Sequence, residues 1–227
     1  MRYQKFAEIL SPARMSRYLT ATSGNTKKAM TLYRLNLKLS QEFFTVISCF
    51  EIALRNKIDE RCITNFGDDW LREGARANGI FDNQNTILTK RNINDAIRKL
   101  GSSYSHNKLV AELGFGFWRY LFAQKQYYAT GRTLLKIFPS KPKSTPTTQY
   151  NQNYVFNQLA EINKFRNRIA HHEPICFEKA RSIKDSTYSR KHYKIILQLF
   201  QWMNIDESEL LYGIDHIDRY CTKLDNL

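Results

Sequence analysis

Glycine, acidic side chains and long apolar runs are scarce in this 227-residue sequence. Only nine glycines are present, and between Asn25 and Phe66 there is neither glycine nor proline. The longest apolar stretch, residues 43–54, already contains Thr45, Ser48 and Glu51. No segment therefore approaches the ~18 uninterrupted apolar residues of a spanning helix. Residues 1–18 lack the apolar block of a secretory leader, so a cytoplasmic protein with no membrane segment is expected. Cys49, Cys62, Cys176 and Cys221 include no C-x-x-C pair, which argues against a disulfide framework or a zinc–cysteine site. A Gly-rich phosphate loop and an H-E-x-x-H helix are also missing, and no metal or other cofactor is expected.

What is there in excess is positive charge. The chain holds 35 Lys and Arg against 21 Asp and Glu, a formal net charge of +14. By segment the net is +7 over residues 1–41, zero over 42–118, +11 over 119–194 and −4 over 195–227. Two basic blocks around a neutral one point to a polyanionic partner, held by phosphate contacts and counterion release. The competing explanation is a basic surface that serves solubility. With 42% hydrophobic and 13% aromatic residues, the chain is not a disordered polyelectrolyte.

The apolar residues recur at helical spacing. Leu32, Leu35, Leu39, Phe43, Val46, Ile47, Phe50, Leu54 and Ile58 predict one long helix, or two nearly collinear ones joined near Ser40. Asn94 is placed to cap a helix ending near Gly101, and Ser105 one ending near Gly114. The aromatic run GFGFWRYLF (114–122) follows, with Trp118 assigned to the core. Val155, Phe156, Leu159, Ile162, Phe165 and Ile169 make a second stripe, which Pro174 should end at about His172. A further helix is predicted near 188–203, and Asp206-x-x-Glu209 is placed to open a last one reaching about Leu224. No convincing period-2 strand occurs. The expected fold is all-α, one domain over residues 1–227. It has a basic N-terminal arm (1–25), a Pro/Ser/Thr/Lys loop (139–150) and C-terminal helices (176–227).

The segment that carries chemistry is FRNRIAHHEP, residues 165–174. Arg166 can offer a planar fork to a phosphate, and the imidazole of His171 can move protons near neutral pH. On a regular helix five positions turn through about 500°, leaving Arg166 and His171 roughly 140° apart around the axis. The spacing alone means little, since an Arg-x4-His pair arises about 0.4 times in a shuffled chain of this composition. Asn167 and His172 beside it make the segment unusual. Two readings stand for the histidines: proton-transfer groups, or simple caps of a helix C-terminus. Asn167 could orient the histidine or face solvent. Glu51 and Arg55 have the i,i+4 orientation that favours a helix ion pair.

R-N-x-x-x-H resembles the active-site motif of HEPN-type ribonucleases, small helical domains that dimerise to build a metal-independent RNA-cutting site. More narrowly, the chain resembles the Abi-like abortive-infection family (AbiD/AbiF type) within that superfamily. The residues that carry this are LYRLNLKLSQEFF (32–44), FEIALRNKI (50–58), FGDDW (66–70), AELGFGFW (111–118) and RNRIAHHEPI (166–175). They cover most of residues 10–175 in order; the last fifty residues match only loosely as a helical continuation.

The resemblance implies a HEPN-like helical bundle and an RNA-cutting toxin of an anti-phage system, active as a homodimer. Arg166 and His171 would be catalytic, and Asn167, His172, Glu51 and Arg55 supporting. Lys141, Lys143, Lys164 and Arg168 are the candidate contacts to the RNA backbone. RNA would be a substrate or a bound regulatory RNA. In some HEPN toxins a tyrosine two positions after the catalytic histidine is modified by an antitoxin. Here that position is Glu173, so this mode of silencing does not carry over and an antitoxin stays unidentified. The alternative to an enzyme is a non-catalytic RNA-binding sensor or scaffold of the same defence system.

Overall fold

The computed structural model describes residues 1–178 and 180–227. It is 67% helical, and the described residues contain no strand, only an isolated bridge between Phe177 and Lys184. Twelve α-helices occur among them: α1 (Tyr3–Leu10), α2 (Pro12–Ala21), α3 (Thr26–Phe66), α4 (Trp70–Gly74), α5 (Ile87–Leu100), α6 (His106–Glu112), α7 (Phe115–Tyr120), α8 (Gln124–Ala129), α9 (Gln152–Ala170), α10 (Thr187–Trp202), α11 (Glu207–Leu210) and α12 (Ile217–Asp225). The expected all-α class is what forms.

The 41-residue α3 is one helix with no joint at Ser40, because nothing in it breaks the hydrogen-bond ladder. Asn25 starts it by accepting from the Lys28 amide at 3.0 Å, and Gly67 ends it at φ +92°. Ser105 caps α6 as expected, accepting from the Lys108 amide at 3.3 Å. Asn94 caps nothing. It lies inside α5, which starts at Ile87, so a helix-compatible side chain stood in for a start signal. Asp206 does cap a helix, accepting from the Ser208 and Glu209 amides, but α11 spans only four residues. Gly213 at φ +74° then turns the chain before α12. The N-terminal arm is no arm either. Pro12 opens α2, Ser11 accepts from the Arg14 amide, and Met15 and Tyr18 are buried.

The chain divides into two compact units. One comprises Met1–Ser48, Lys164–Gln198 and Asp206–Leu227; the other comprises Cys49–Asn163 and Leu199–Ile205. In the first, Phe43 meets Phe165 edge-on at 4.7 Å, and Phe165 stacks on His192 at 4.5 Å. Tyr18 lies between Tyr33 and Phe177, at 5.1 and 5.0 Å. Each such ring pair contributes about 0.5–1.5 kcal/mol beyond the area it buries. In the second unit Phe50 packs edge-on against Phe200 at 5.3 Å. Trp118 is fully buried there and donates to the Leu113 carbonyl at 2.8 Å, so the aromatic run is core, as expected. All four cysteines are free thiols, and burial pushes Cys62 and Cys176 up to about 12, which leaves them poor nucleophiles. No helix among the described residues is long and apolar enough to cross a membrane.

Candidate functional site

The RNRIAHHEP segment ends α9 and belongs to the first unit. α9 proper stops at Ala170, and the His171 amide still donates to the Asn167 carbonyl at 2.9 Å. His172 then takes φ +56°, the left-handed conformation that normally selects glycine. Its amide donates back to Ile169, and the Glu173 amide to Arg168, both at 2.9 Å. These two bonds satisfy carbonyls that a helix end otherwise leaves open. A histidine with a left-handed backbone costs roughly 1–2 kcal/mol, so the surroundings must hold it there.

Four side chains do so. Arg168 Nε donates to the Pro174 carbonyl at 3.1 Å and stands 3.6 Å from the Glu173 carboxylate. Arg14, from α2, donates through Nη1 to the His172 carbonyl at 2.8 Å. Just beyond, the backbone of Ile175 is gripped on both sides. Its N–H donates to the buried Asn36 Oδ1 of α3 at 2.8 Å, and its carbonyl accepts from buried Ser189 of α10, also at 2.8 Å. Because Asn36 and Ser189 are buried, losing either would strand a backbone partner away from water.

A cavity of about 270 Å³ opens beside this turn, lined by Arg14, Arg17, Tyr18, His171, His172 and Glu173, with Ala13 and Pro174. Arg17 is occupied: it donates to the Glu178 carbonyl at 3.1 Å and to the Arg181 carbonyl, and covers the Phe177 ring at 4.3 Å. Burial raises the Tyr18 phenol far above its ordinary value, so it stays a neutral hydroxyl. His171 is exposed and its side chain has no partner among the described residues. The cavity thus presents an unengaged imidazole next to a guanidinium that uses one arm on the turn. That combination suits an anion that needs a proton moved.

The predicted residues fare differently. Arg166 is half-buried and has no ion pair or side-chain hydrogen bond among the described residues, and it does not line the His171 cavity. The separation of roughly 140° around the axis accounts for that. Asn167 is exposed and serves the turn through its carbonyl. Arg168 is spent on the turn. Glu51 and Arg55 belong to the second unit, and the expected ion pair between them does not form: no contact within 4.0 Å joins them, and Arg55 Nε is buried without a partner. An i,i+4 pair contributes only a few tenths of a kcal/mol, too little to hold two long side chains together. Lys143 and Lys164 are exposed, and Lys141 donates to its neighbour Pro142 at 3.1 Å in the irregular 139–150 loop.

Sequence reasoning missed Arg14, Arg17, Asn36 and Ser189. Arg14 and Arg17 were visible only as part of the basic N-terminal charge. Asn36 left a readable trace, a polar side chain beside Leu32, Leu35 and Leu39 on a buried face. Ser189 left none. Among the described residues no group of three or more His, Cys, Asp or Glu is arranged to hold a metal ion.

No curated protein and no solved structure matches the chain. The family model described as Abi-like protein matches residues 2–176, which take in α1 to α9 and the whole histidine turn and leave out α10 to α12. The chain belongs to the Abi-like family, and with it to abortive-infection defence.

Proposed function

We propose that this Abi-like protein is a metal-independent endoribonuclease of HEPN type, the toxic effector of an abortive-infection system, working as a homodimer. The observation that carries the reading is the unengaged His171 imidazole on a turn braced from α2, α3 and α9, beside the Arg14 guanidinium. RNA brings its own nucleophile, the 2′-OH, so the protein must supply a base, an acid and positive charge. A base removes the 2′-OH proton as that oxygen attacks the phosphorus. The P–O5′ bond breaks, an acid protonates the departing 5′ oxygen, and a 2′,3′-cyclic phosphate and a 5′-OH remain. His171 serves as one of the two proton carriers and Arg166 as the clamp on the scissile phosphate.

In this reading His171 fills one of the two proton roles, and Arg166 does not share its cavity. Two protomers, each giving Arg166 and His171, supply the second proton carrier and the missing guanidinium. Asn167, His172, Glu51 and Arg55 are the proposed supports, with Lys141, Lys143 and Lys164 along the RNA backbone. Arg168 drops out of that last group because its Nε is committed to the turn.

The test is cleavage in excess EDTA. Purified protein is expected to cut RNA and leave 2′,3′-cyclic ends, with His171→Ala and Arg166→Ala each lowering the rate by about 10²-fold or more while RNA affinity holds. Cleavage that requires a divalent metal, or full activity in both variants, overturns the mechanism. Salt-sensitive RNA binding with no cleavage in any form would instead make the protein an RNA-binding module.

A further inference from the structure

A second cationic cavity lies wholly within the second unit, on residues that the ribonuclease reading does not use. Lys57, Arg61 and Thr64 recur at i, i+4 and i+7 on α3, so they share one face within about 60°. With Glu60, Lys136 and Asn204 they line a cavity of about 350 Å³. Lys136 is exposed on the short 3-10 turn Leu134–Ile137, which buried Leu134 and Ile137 pin in place. Asn204 sits at φ +56° just after α10, and Ser140 donates to its Oδ1, which leaves its amide NH2 as the unused end.

The charge here is unbalanced. Lys57 pairs with Glu60 at 3.5 Å on the exposed rim, but Arg61 and Lys136 have no ion pair or side-chain hydrogen bond among the described residues. Arg61 Nε is in addition shut off from solvent with no acceptor. A buried donor on a permanently charged group, left without an acceptor, is costly unless something else accepts from it. The cavity is nucleotide-sized and too small for a helix of nucleic acid.

We propose that this cavity binds a phosphate monoester. Three cations against the one Glu60 carboxylate leave a net charge of about +2, which suits the −1.5 to −2 charge of a terminal phosphate at neutral pH better than the single charge of each backbone diester. The Arg61 fork would take two oxygens, Lys57 and Lys136 the charge, and the Asn204 amide a third oxygen. The phosphate could be carried by a free nucleotide or by the end of an RNA strand; the chemistry is the same.

The test uses the full chain with probes that cannot be cut: a 2′-O-methyl RNA decamer with a 5′-phosphate, the same decamer with a 5′-hydroxyl, and ATP, each titrated by calorimetry in EDTA. Two outcomes support the site. In one, the phosphorylated decamer binds about tenfold tighter than its hydroxyl twin. In the other, ATP binds and competes, marking a free nucleotide as the source. In either case Arg61→Gln and Lys136→Gln must erase the effect, while His171→Ala must leave it unchanged. Lys136 is exposed, so its variant reads binding even if Arg61→Gln folds poorly. Equal binding of the two decamers with no ATP binding, or a preference that survives both variants, overturns the proposal. Because no probe can be cleaved, the result stands whether or not the protein is a ribonuclease.

Discussion

Two histidines at helix ends show how differently the two units treat the same side chain. His106, in the second unit, is the first residue of α6. Its Nε2 meets Asp59 Oδ1 at 2.8 Å and its Nδ1 stands 3.5 Å from Asp69 Oδ1. Trp70 Nε1 also donates to Asp59, at 2.7 Å, Tyr104 donates to Asp69, and Arg72 covers the Tyr104 ring at 4.8 Å. The hydrogen bond to Asp59 is the main reason its pKa is raised, against the cost of burial, and the neighbouring carboxylates add to it. A helix N-terminus disfavours an imidazolium, so the two carboxylates outweigh the helix dipole. His171, in the first unit, sits where α9 ends, exposed, with a fixed backbone and an unengaged ring. His106 is clamped by its side chain and holds structure. His171 is clamped only through the main chain around it, which leaves the ring available for proton transfer. Which atoms are held, more than which residue is present, separates a strut from a candidate catalyst.

The contrast can be broken most severely at Asn36. Replacing it with Ala leaves the Ile175 amide buried without an acceptor, which should cost about 1–3 kcal/mol. Denaturant titration should show that loss, and RNA cleavage should fall with it although His171 is untouched. Stability lost with cleavage fully retained would show that bracing of the turn does not matter to the chemistry.

His106 sharpens the other side. A raised pKa in the folded state means its contribution is fully present below the ordinary histidine value of 6.5 and is lost as pH rises through the folded value. Urea midpoints of the wild type should therefore decline relative to His106→Gln as pH climbs above that point. The variant should keep cleavage. Parallel pH profiles for the two proteins would mean the imidazolium contributes nothing to stability.

The smallest expected effect is at His172. Glycine accepts φ +56° without strain, so His172→Gly should stabilise the fold by about 1 kcal/mol, seen as a rise in melting temperature. A drop instead would mean that the His172 ring makes up for its own backbone cost.

Much of this was legible beforehand, for local reasons. The absence of glycine and proline over residues 26–66 announced a continuous helical stretch, though not whether a joint fell near Ser40; Ser105 and Asp206 announced their caps, and Pro174 set the end of α9 within two residues. The misreadings share a cause too. Asn94 satisfied a capping pattern inside a helix, and Glu51 and Arg55 satisfied an ion-pair pattern without pairing, because such weak preferences yield to packing. The basic N-terminal residues read as an arm because the burial of Met15 and Tyr18 depends on partners far along the chain, such as Phe177.

By itself, then, the sequence determined the helical class, a helical stretch over residues 26–66 and the Arg166–His171 segment, since spacing and breakers act between near neighbours. It also supplied the family resemblance that the match over residues 2–176 upholds. Only the tertiary structure decided what surrounds His171. Arg14 and Asn36 reach the turn from well over a hundred residues away in the chain, and Ser189 from another helix. No local pattern encodes which distant donor or acceptor a strained turn will find; that follows from burial, which must pair every polar group it covers.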